Sequence, residues 1–494
     1  MKKQFLIGIS AILILGLFSC SKSYFDINNN PNNATNASPE LVISNALTVT
    51  AAPQEVGYNF LNAWMGYLGQ SGSYATGAGD IASYKQTTTF GDAIWQDRYH
   101  NLADYDYVEK SAASQNKYYY VAAAKIMKAF VFQQLVDMFN NVPYTQAFLG
   151  TNNITPKYDD GQFVYNAITL QIDTAIVLLQ RSDAIGTAKS DILFGGNNTN
   201  WIQFANTLKL RILMRQTQVT ANASFIQAEL AKITANGAGF ITTDAAVNPS
   251  YANNLGQQNP IWGFYVTLTG LPTSGGSADF WKGAQYSISW MTNHNDPRYQ
   301  YIYSPGASGK YVGSVLGAVA NPPGGAASSI GTGILKSVNQ SAVILSAAES
   351  YFLQAEANLR GMIGATSAAT TNFNNGVQAS FSFLGAGSNS SYISQNDKTT
   401  NYSACVTFNE QLACIIRQKW VAMNGVTPFE AWSDYRRLRL PADIPLSVSS
   451  YLDISPAAIP IRILYPISEY QTNTVNVNLQ GNINYHSSPV FWNK

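Results

Sequence analysis

The feature of this sequence that most limits its fold is a series of apolar residues repeated every three to four positions. Residues at that spacing fall on one face of an α-helix, and such a face must be buried against another element. Short connections join the segments, so we expect the helices to pack as adjacent pairs. The predicted pairs are 118–140 with 160–182, 200–218 with 224–235, 345–361 with 366–384, and 408–424 with 428–437. Helix pairs of this size are the unit of a helical repeat array, although no clean sequence repeat accompanies them.

Residues that start and stop helices support this pattern. Gly361 follows the last apolar residue of one predicted helix, the place where glycine commonly ends a helix. Asp159 stands three positions before Gln162 and predicts a capping box. In the stretch 427–430 a threonine is the predicted N-cap, a proline takes the first helical position, and Glu430 is expected to reach back to the cap. The sequence therefore predicts a mainly α-helical chain.

Two regions break the helical pattern. Residues 70–90 are rich in Gly, Ser, Thr and Tyr, and residues 240–344 are loop-rich, with Pro-Pro-Gly-Gly at 322–325. Irregular segments of this length in a compact protein are usually functional or disordered. The scattered aromatic residues favour an ordered and functional region. We therefore expect the region of about 240–344 to carry a ligand-binding site on the helical body.

The first residues form a segment of a different kind. Two lysines precede an apolar run at 5–18, which is roughly 21 Å of helix at ~1.5 Å per residue and too short for a membrane span. A basic start, an apolar middle and a small residue before the cut are typical of a secretory signal peptide. The stretch Leu17-Phe18-Ser19-Cys20 resembles the lipobox of bacterial lipoproteins, in which the cysteine becomes acylated. We predict a lipoprotein signal peptide at 1–19 and Cys20 as the lipid anchor; an ordinary signal peptide with a chance cysteine is the alternative.

An asparagine-rich segment with two prolines, residues 20–39, follows the predicted cleavage site. Fully extended it reaches roughly 65 Å at ~3.4 Å per residue, enough to hold a body away from a membrane. An ordered strip packed on the body is the alternative. The predicted organisation is thus a signal peptide at 1–19, a lipid-anchored tether at 20–39 and a helical body at 40–494.

Charge and composition narrow the class of ligand. Removing residues 1–19 leaves 27 basic and 28 acidic residues, a formal charge of −1, so no basic face for nucleic acid is expected. Charged residues are only 12%, against about 25% in an average protein, while tyrosine reaches 29 and tryptophan 9. Aromatic rings offer flat apolar platforms, and side-chain amides donate and accept hydrogen bonds. This composition suits neutral, hydroxyl-rich ligands such as sugars better than phosphates.

Candidate ligand-binding residues are the aromatic residues outside the helical stripes. Tyr74 and Tyr84 lie in the first irregular region, and Trp262, Trp281 and Tyr286 lie in the second. Phe280 and Trp290 are their neighbours. Each ring could equally belong to the core, and Trp281 and Tyr74 are the first choices for a sugar platform.

No sequence pattern supports catalysis, a cofactor or a metal site. Glu349 and Glu356 stand two helical turns apart, roughly 10 Å, which is within reach of a glycosidase pair. Pairing with structural cations such as Arg417 or Lys419 is the favoured interpretation. The chain has no GxSxG, HExxH or P-loop motif. Its three histidines are His100, His294 and His486, and none of them lies in a metal-binding or catalytic-triad motif.

The roles of two groups of side chains have more than one interpretation. Cys405 and Cys414 could form a disulfide in an oxidising compartment, but sequence does not give the distance between them. Arg436, Arg437 and Arg439 could clamp an anion, and tying helices together is the favoured interpretation.

Ordered motifs through the whole mature chain resemble the SusD/RagB family of nutrient-binding outer-membrane lipoproteins. The helix 201–215 resembles the family's tryptophan-to-arginine helix, and Phe139-Asn140-Asn141 departs slightly from the usual aromatic-Gly-Asp before a Val-Pro-Tyr turn. The block 430–437, Glu-Ala-Trp-Ser-Asp-Tyr-Arg-Arg, is the most specific match. Further matches are Phe25-Asp26-Ile27-Asn28, Asp296-Pro297-Arg298, the helix 348–357, Gln418-Lys419-Trp420 and the segment 460–473.

The resemblance implies a mainly α fold of tetratricopeptide-like helix pairs, with loop-rich insertions and few short strands. It implies a SusC-like TonB-dependent outer-membrane transporter as partner, over which the lipoprotein sits as a lid, and a binding protein rather than an enzyme. It also implies an outer-membrane, lipid-anchored location facing the cell exterior, where glycans are captured for import. A peptide-binding lid is one alternative, and a surface glycoside hydrolase is another.

Overall fold

The computed structural model describes residues 37–74, 79–449 and 458–493. The chain divides into Met1–Ser38 and a compact unit, Pro39–Lys494, and the elements described below belong to the latter. The predicted anchor, Cys20, and the predicted tether before residue 37 lie outside the described residues.

Helices dominate the described residues, as the sequence predicts. The α-helices are α1 Pro39–Ala52, α2 Asn59–Trp64, α3 Gly79–Ser83, α4 Asp92–Ser114, α5 Tyr118–Phe139, α6 Gly161–Leu179, α7 Asn198–Arg215, α8 Ala223–Asn236, α9 Pro260–Tyr265, α10 Ser277–Phe280, α11 Gln285–Asn293, α12 Tyr299–Ile302, α13 Ala347–Leu359, α14 Ala368–Leu384, α15 Ser390–Ile393, α16 Phe408–Met423, α17 Pro428–Leu438, α18 Ile467–Thr472 and α19 Thr474–Asn478. A π-helical turn, Pro53–Gly57, follows α1, and short 3₁₀ turns lie at Gly150–Asn152, Gln216–Gln218, Thr220–Asn222 and Tyr402–Ala404.

The predicted helix pairs are present. α5 packs against α6, α7 against α8, α13 against α14, and α16 against α17. The sequence analysis missed α1 and α4, although α4 packs along α5 and α1 packs along α4. α4 was missed because many of its residues are polar. Its buried Trp95, Leu102 and Tyr105 nevertheless fall on one helical face, so the spacing of its apolar residues could have predicted a helix.

Three short antiparallel strand pairs interrupt the helices in the described ranges. β1 (Leu68–Gln70) pairs with β3 (Trp281–Gly283), β2 (Ala245–Val247) with β6 (Ala342–Leu345), and β4 (Tyr303–Ser304) with β5 (Ser329–Ile330). The helix predicted from 345 therefore begins later, because Leu345 ends β6 and Ser346 caps α13 by accepting a hydrogen bond from the Glu349 N–H. Each strand pair links distant parts of the chain.

Two helix caps differ from the sequence predictions. The N-cap of α6 is Asp160, whose side chain accepts from two backbone N–H groups, while Asp159 accepts from the Tyr144 and Thr145 N–H groups. At α17 the side chain of Thr427 makes no cap hydrogen bond, and Glu430 is buried among arginines. These predictions failed because tertiary partners took the polar groups that local capping would have used.

Helix α5 forms the centre of the body. Nearly all of its residues are buried, and it lies between α4 and α6. In the described part of the chain, α6 is the helix that is long and apolar enough by composition to cross a membrane. Its packing between α5 and α7 is that of a core helix in a folded body.

Buried ion pairs join the helices of the body to one another. Arg215 on α7 pairs with Glu430 on α17 at 2.5 Å, and Lys419 on α16 pairs with Asp434 on α17 at 2.8 Å. Arg437 pairs with Glu356 on α13 at 2.6 Å. Because removing one member of such a pair strands a buried charge, these contacts fix which helices can be neighbours.

Candidate ligand-binding surface

The β1–β3 pair brings the two irregular regions of the sequence together. Gln70 lies opposite Trp281 in the register, and the Ser71 N–H donates to the Phe280 carbonyl at 2.8 Å. This places Tyr74 against Phe280, with ring centroids 5.0 Å apart and planes at 70°. The predicted first choices, Tyr74 and Trp281, therefore lie in one cluster, joined through Phe280.

Three rings make up this aromatic surface: Tyr74, Phe280 and Trp281. Phe280 and Trp281 meet edge to face, with centroids 4.8 Å apart. Tyr74 and Phe280 are half-buried, while Trp281 is only 7% exposed. Tyr74 and Phe280 therefore present the accessible ring faces, and Trp281 supports them from below.

A loop from 315 to 324 backs the aromatic surface. Asn321 is its centre, because its side chain donates to the Gln70 carbonyl at 2.9 Å and accepts from the Val315 N–H at 2.8 Å. The Gly72 N–H donates to the Pro322 carbonyl at 2.9 Å. A Cβ on Gly72 would stand 1.8 Å from the Asn321 carbonyl oxygen, so only glycine allows this close approach.

Exposed aliphatic side chains border this loop. Val319 is 94% exposed, and Val315 and Val448 are also exposed. The Val448 N–H donates to the Leu316 carbonyl at 3.1 Å, which joins the segment before residue 450 to the loop. The surface thus combines aromatic faces, backbone amides and an apolar rim without a concentrated charge.

Tyr84 occupies a different environment from Tyr74. Its ring is 1% exposed, and its hydroxyl accepts a hydrogen bond from the Ser447 N–H at 2.8 Å. Burial raises the pKa of this hydroxyl well above its ordinary value. In this conformation Tyr84 holds the segment that carries Val448, and its ring face is closed to a ligand.

Trp262 and Tyr286 lie apart from the three-ring cluster. Trp262 is half-buried on α9, which packs against the short helix that carries Phe280. The Tyr286 hydroxyl accepts from Arg417 Nη1 at 2.9 Å, and its ring meets Trp420 edge to face. Burial, only partly offset by Arg417, raises the pKa of Tyr286 to about 12. Their roles in ligand binding stay predictions.

The carboxylates proposed as an alternative catalytic pair are structural in geometry. Glu349 pairs with Arg211, and Glu356 pairs with Arg437 and Arg360, so the partners differ from the suggested Arg417 and Lys419. Burial disfavours the charged form of Glu356, but the Arg437 guanidinium outweighs it and holds the pKa below its usual value. A general acid needs a raised pKa, which the pairing of Glu356 with Arg437 opposes. Burial does raise the pKa of Glu349 despite the Arg211 guanidinium, but the Glu349 side chain is fully buried and closed to a substrate.

The arginine block also serves the fold. Arg436 Nη1 donates to the Ile461 carbonyl at 3.0 Å, and its guanidinium lies 3.4 Å from the Trp432 ring centroid. Arg439 lies over Tyr435, with 5.8 Å between its guanidinium and the ring centroid. The favoured interpretation, that these side chains tie elements together, fits the contacts of Arg436 and Arg437.

The thiols and histidines form no metal site in the described ranges. Cys405 and Cys414 are both buried free thiols, so the disulfide considered from sequence is not formed. His294 Nδ1 lies 2.5 Å from Asp397 Oδ2, while His486 is buried and its pKa is lowered by desolvation. No group of three or more His, Cys, Asp or Glu side chains in the described residues could hold a metal ion.

Sequence reasoning missed the polar groups that shape the surface. Gln70 accepts from the Gly317 N–H at 3.0 Å and donates to the Ala318 carbonyl at 3.1 Å, but no local motif distinguishes it. Asn321 precedes the Pro-Pro-Gly-Gly turn, and the sequence identified it only as a loop residue. To place these polar groups at the surface, the sequence would have had to predict the pairing of strand 68–70 with strand 281–283.

Comparison with known proteins places this geometry in context. A family model described as SusD-like, starch-binding and associating with the outer membrane, matches residues 31–466. No curated protein matches the sequence.

Solved structures with the same fold are numerous. A SusD homologue from Bacteroides uniformis ATCC 8492 superposes with a TM-score of 0.76 at 22% identity, covering 93% of this chain and 100% of that chain. A SusD-like protein from Bacteroides thetaiotaomicron VPI-5482 gives a TM-score of 0.75 at 22% identity, with coverages of 92% and 98%. A chitin-binding SusD homologue from Flavobacterium johnsoniae gives 0.72 at 24% identity, with coverages of 91% and 97%. These matches confirm the predicted mainly α fold.

Proposed function

The chain belongs to the SusD-like family of nutrient-binding outer-membrane proteins, and from this membership we propose that it captures glycans without cleaving them. In this proposal it is a surface lipoprotein that acts as the lid of a SusC-like TonB-dependent transporter. Proteins of this family are generally binding proteins rather than enzymes. Residues 1–19 are the signal peptide, 20–39 the lipid-anchored tether and 40–494 the binding body.

The observation that carries the glycan proposal is the contact of Tyr74 with Phe280, backed by Trp281. Half-exposed rings stack on the apolar face of a sugar ring, because pyranose C–H groups present a flat apolar surface to them. The Asn321 amide is engaged within its loop, so donors for hydroxyl groups come from backbone N–H groups of the loop such as that of Val319, which has no partner among the described residues. The low formal charge of the chain favours a neutral ligand.

Trp262, Tyr286 and Tyr84 complete the proposed set of ligand residues from the sequence analysis. Trp262 would extend the platform along α9. Tyr286 and Tyr84 would support the site, their hydroxyl groups accepting hydrogen bonds from Arg417 and from the Ser447 N–H respectively. A chitin-binding relative makes chitin oligosaccharides the first ligands to try.

A peptide-binding lid is the alternative within the same class, and a surface hydrolase is the alternative from another class. Turnover distinguishes a binding protein from a hydrolase, since a binding protein returns its ligand intact and a hydrolase releases products. The experiment is calorimetric titration of residues 21–494 with chitin, starch and other polysaccharides, their oligosaccharides and peptides, with product analysis on the same samples.

We expect one neutral glycan to bind and to remain uncleaved. The double substitution Tyr74→Ala with Phe280→Ala is expected to lower the affinity for that glycan at least tenfold, because two stacking rings are lost. Phe163→Ala, which removes an exposed ring on α6, is the matched control and should leave the affinity unchanged. A peptide bound in place of every glycan, or release of products, would reject the proposal.

A further inference from the structure

A large cavity lies on the helical body, away from the residues of the aromatic surface. It has a volume of about 630 Å³ and is bounded by α13, α14, the β2–β6 strand pair and the π-helical turn. None of its lining residues belongs to the surface built by Tyr74, Phe280 and Trp281. Small-molecule sites commonly enclose 300–1,000 Å³, so this cavity has the size for a mono- or disaccharide.

Several polar groups on its walls are not used by the fold. The Tyr351 hydroxyl, the Asn375 amide and the Thr243 hydroxyl line the cavity, and none has a hydrogen-bond partner within the described residues. Asn375 and Thr243 are exposed and Tyr351 is partly buried, so a ligand in the cavity can reach all three. These groups are therefore available to a ligand.

The carboxylates of the cavity are positioned by helix N-termini. Asp244 accepts from the Ala347 N–H at 2.8 Å through Oδ1, and its Oδ2 has no hydrogen-bond partner among the described residues. Glu55 accepts from Asn259 Nδ2 at 3.0 Å and from the Ile261 N–H at 3.2 Å. Glu55 is thus engaged by the start of α9, whereas Asp244 keeps an oxygen for another donor.

One cation balances the available carboxylate. Lys336 lies with Nζ 3.6 Å from the centre of the Phe383 ring, feels the charge of Asp244, and forms no ion pair within 4.0 Å of the described acidic residues. Burial raises the pKa of the third charged group of the cavity, Glu55, to about 7 and favours its neutral form below that pH. Lys336 and Asp244 then give the walls a donor cation and an acceptor anion without a net charge that selects an ion. Hydroxyl groups of a neutral ligand can satisfy both.

We propose that this cavity is a second binding site, which takes a neutral mono- or disaccharide. Tyr351 and Asn375 hydrogen-bond its hydroxyl groups, Asp244 accepts from one, and Lys336 donates to another. Phe383 and Tyr351 supply apolar ring surface beside the sugar. The site does not depend on the proposed function, because its residues are separate from those of the aromatic surface.

The test is saturation-transfer NMR on residues 21–494 with cellobiose, maltose and N,N′-diacetylchitobiose. Glucosamine, glucuronate and trialanine serve as cationic, anionic and zwitterionic probes. We expect a neutral disaccharide to bind, and Tyr351→Phe with Asn375→Ala to weaken it about tenfold or more through two lost hydrogen bonds. The measurement is made in the Tyr74→Ala and Phe280→Ala background, so that the aromatic surface does not contribute to the signal. In that background Thr243→Trp, which fills the cavity from an exposed position, should abolish the signal.

Matched controls separate this site from the aromatic surface. Tyr485→Phe and Thr371→Ala make the same kinds of change outside the cavity and should leave binding intact. The Tyr74→Ala and Phe280→Ala pair should also leave disaccharide binding in the cavity intact. The proposal is overturned if none of the three disaccharides binds, if Thr243→Trp leaves their binding unchanged, or if a charged or zwitterionic probe binds more tightly at this site.

Discussion

Arg211 and Glu349 form a two-pronged ion pair in the interior of the body, although 138 residues separate them in sequence. Nε lies 2.7 Å from Oε1 and Nη2 lies 2.8 Å from Oε2. Both side chains are buried, and the pair joins α7 to α13. A planar guanidinium matches a carboxylate in this geometry better than a lysine would. The contact explains why the two predicted helices carry charged residues on their buried faces.

We predict that Arg211→Met will destabilise the protein by about 3–5 kcal/mol, because it leaves the Glu349 carboxylate buried without its partner. The free energy of unfolding in urea measures the change. Arg181→Met breaks an exposed pair with Asp183, which water and salt screen, and should leave the free energy of unfolding close to that of wild type. Equal losses in the free energy of unfolding in the two variants would contradict the prediction that burial makes the Arg211 pair more costly to break.

Glu55 predicts a pH dependence of stability near neutrality. Burial, opposed in part by its hydrogen bonds, raises the pKa of Glu55 from 4.5 to about 7. The folded chain then holds a proton that the unfolded chain has lost, so the resulting stability is fully present below about pH 4.5 and is lost as pH rises through about 7.

Glu55→Gln should remove this dependence. Relative to the variant, the wild-type free energy of unfolding should fall by on the order of 2 kcal/mol between pH 5 and pH 8. Urea unfolding at several pH values measures the difference. Asp97→Asn, an exposed carboxylate on α4, is the control. A difference between wild type and Glu55→Gln that does not vary with pH would contradict the prediction.

Gly72→Ala should distort the aromatic surface by displacing the loop 315–324 that packs behind it. The added Cβ would collide with backbone atoms of Asn321 and Pro322, which cannot move without shifting the loop. We expect glycan affinity to fall at least tenfold and the melting temperature to fall by a few degrees. Gly325→Ala, one residue beyond the end of that loop, places its Cβ in open space and should change neither quantity.

Trp281 and Tyr74 should respond differently to truncation, because their burial differs. Trp281→Ala empties a buried position and should destabilise the protein by about 3–5 kcal/mol as well as weaken binding. Tyr74→Ala should weaken binding and leave the free energy of unfolding within about 1 kcal/mol of wild type. Parallel urea unfolding and calorimetry on both variants check this. A large loss of stability in Tyr74→Ala would place that ring among the core residues.

Cys20→Ala should release the protein from the membrane if Cys20 is the acylated residue. The full chain, expressed with an alkyne-labelled fatty acid, should incorporate label and sediment with membranes, whereas Cys20→Ala should do neither. Cys405→Ala is the matched control, since its thiol is buried in the body. Label retained in Cys20→Ala would contradict the assignment of the anchor.

Much of the helical fold could be predicted because helix periodicity is a local property. The apolar residues of α5 and α6 repeat within each helix, so their pairing followed from short connections alone. The candidate site was harder. Tyr74 and Trp281 stood out by residue type, but so did Tyr84, whose ring the fold buries.

The sequence by itself determined the helical class, most helix pairs and the family, because these depend on patterns within neighbouring residues and on ordered motifs. The tertiary structure alone decided which polar residues meet: that Glu349 meets Arg211, that Asp160 rather than Asp159 caps α6, and that Tyr74 rests on Phe280. Those contacts join residues far apart in sequence or choose between adjacent ones. Their outcome depends on burial and on competing partners, which exist only once the whole chain has packed.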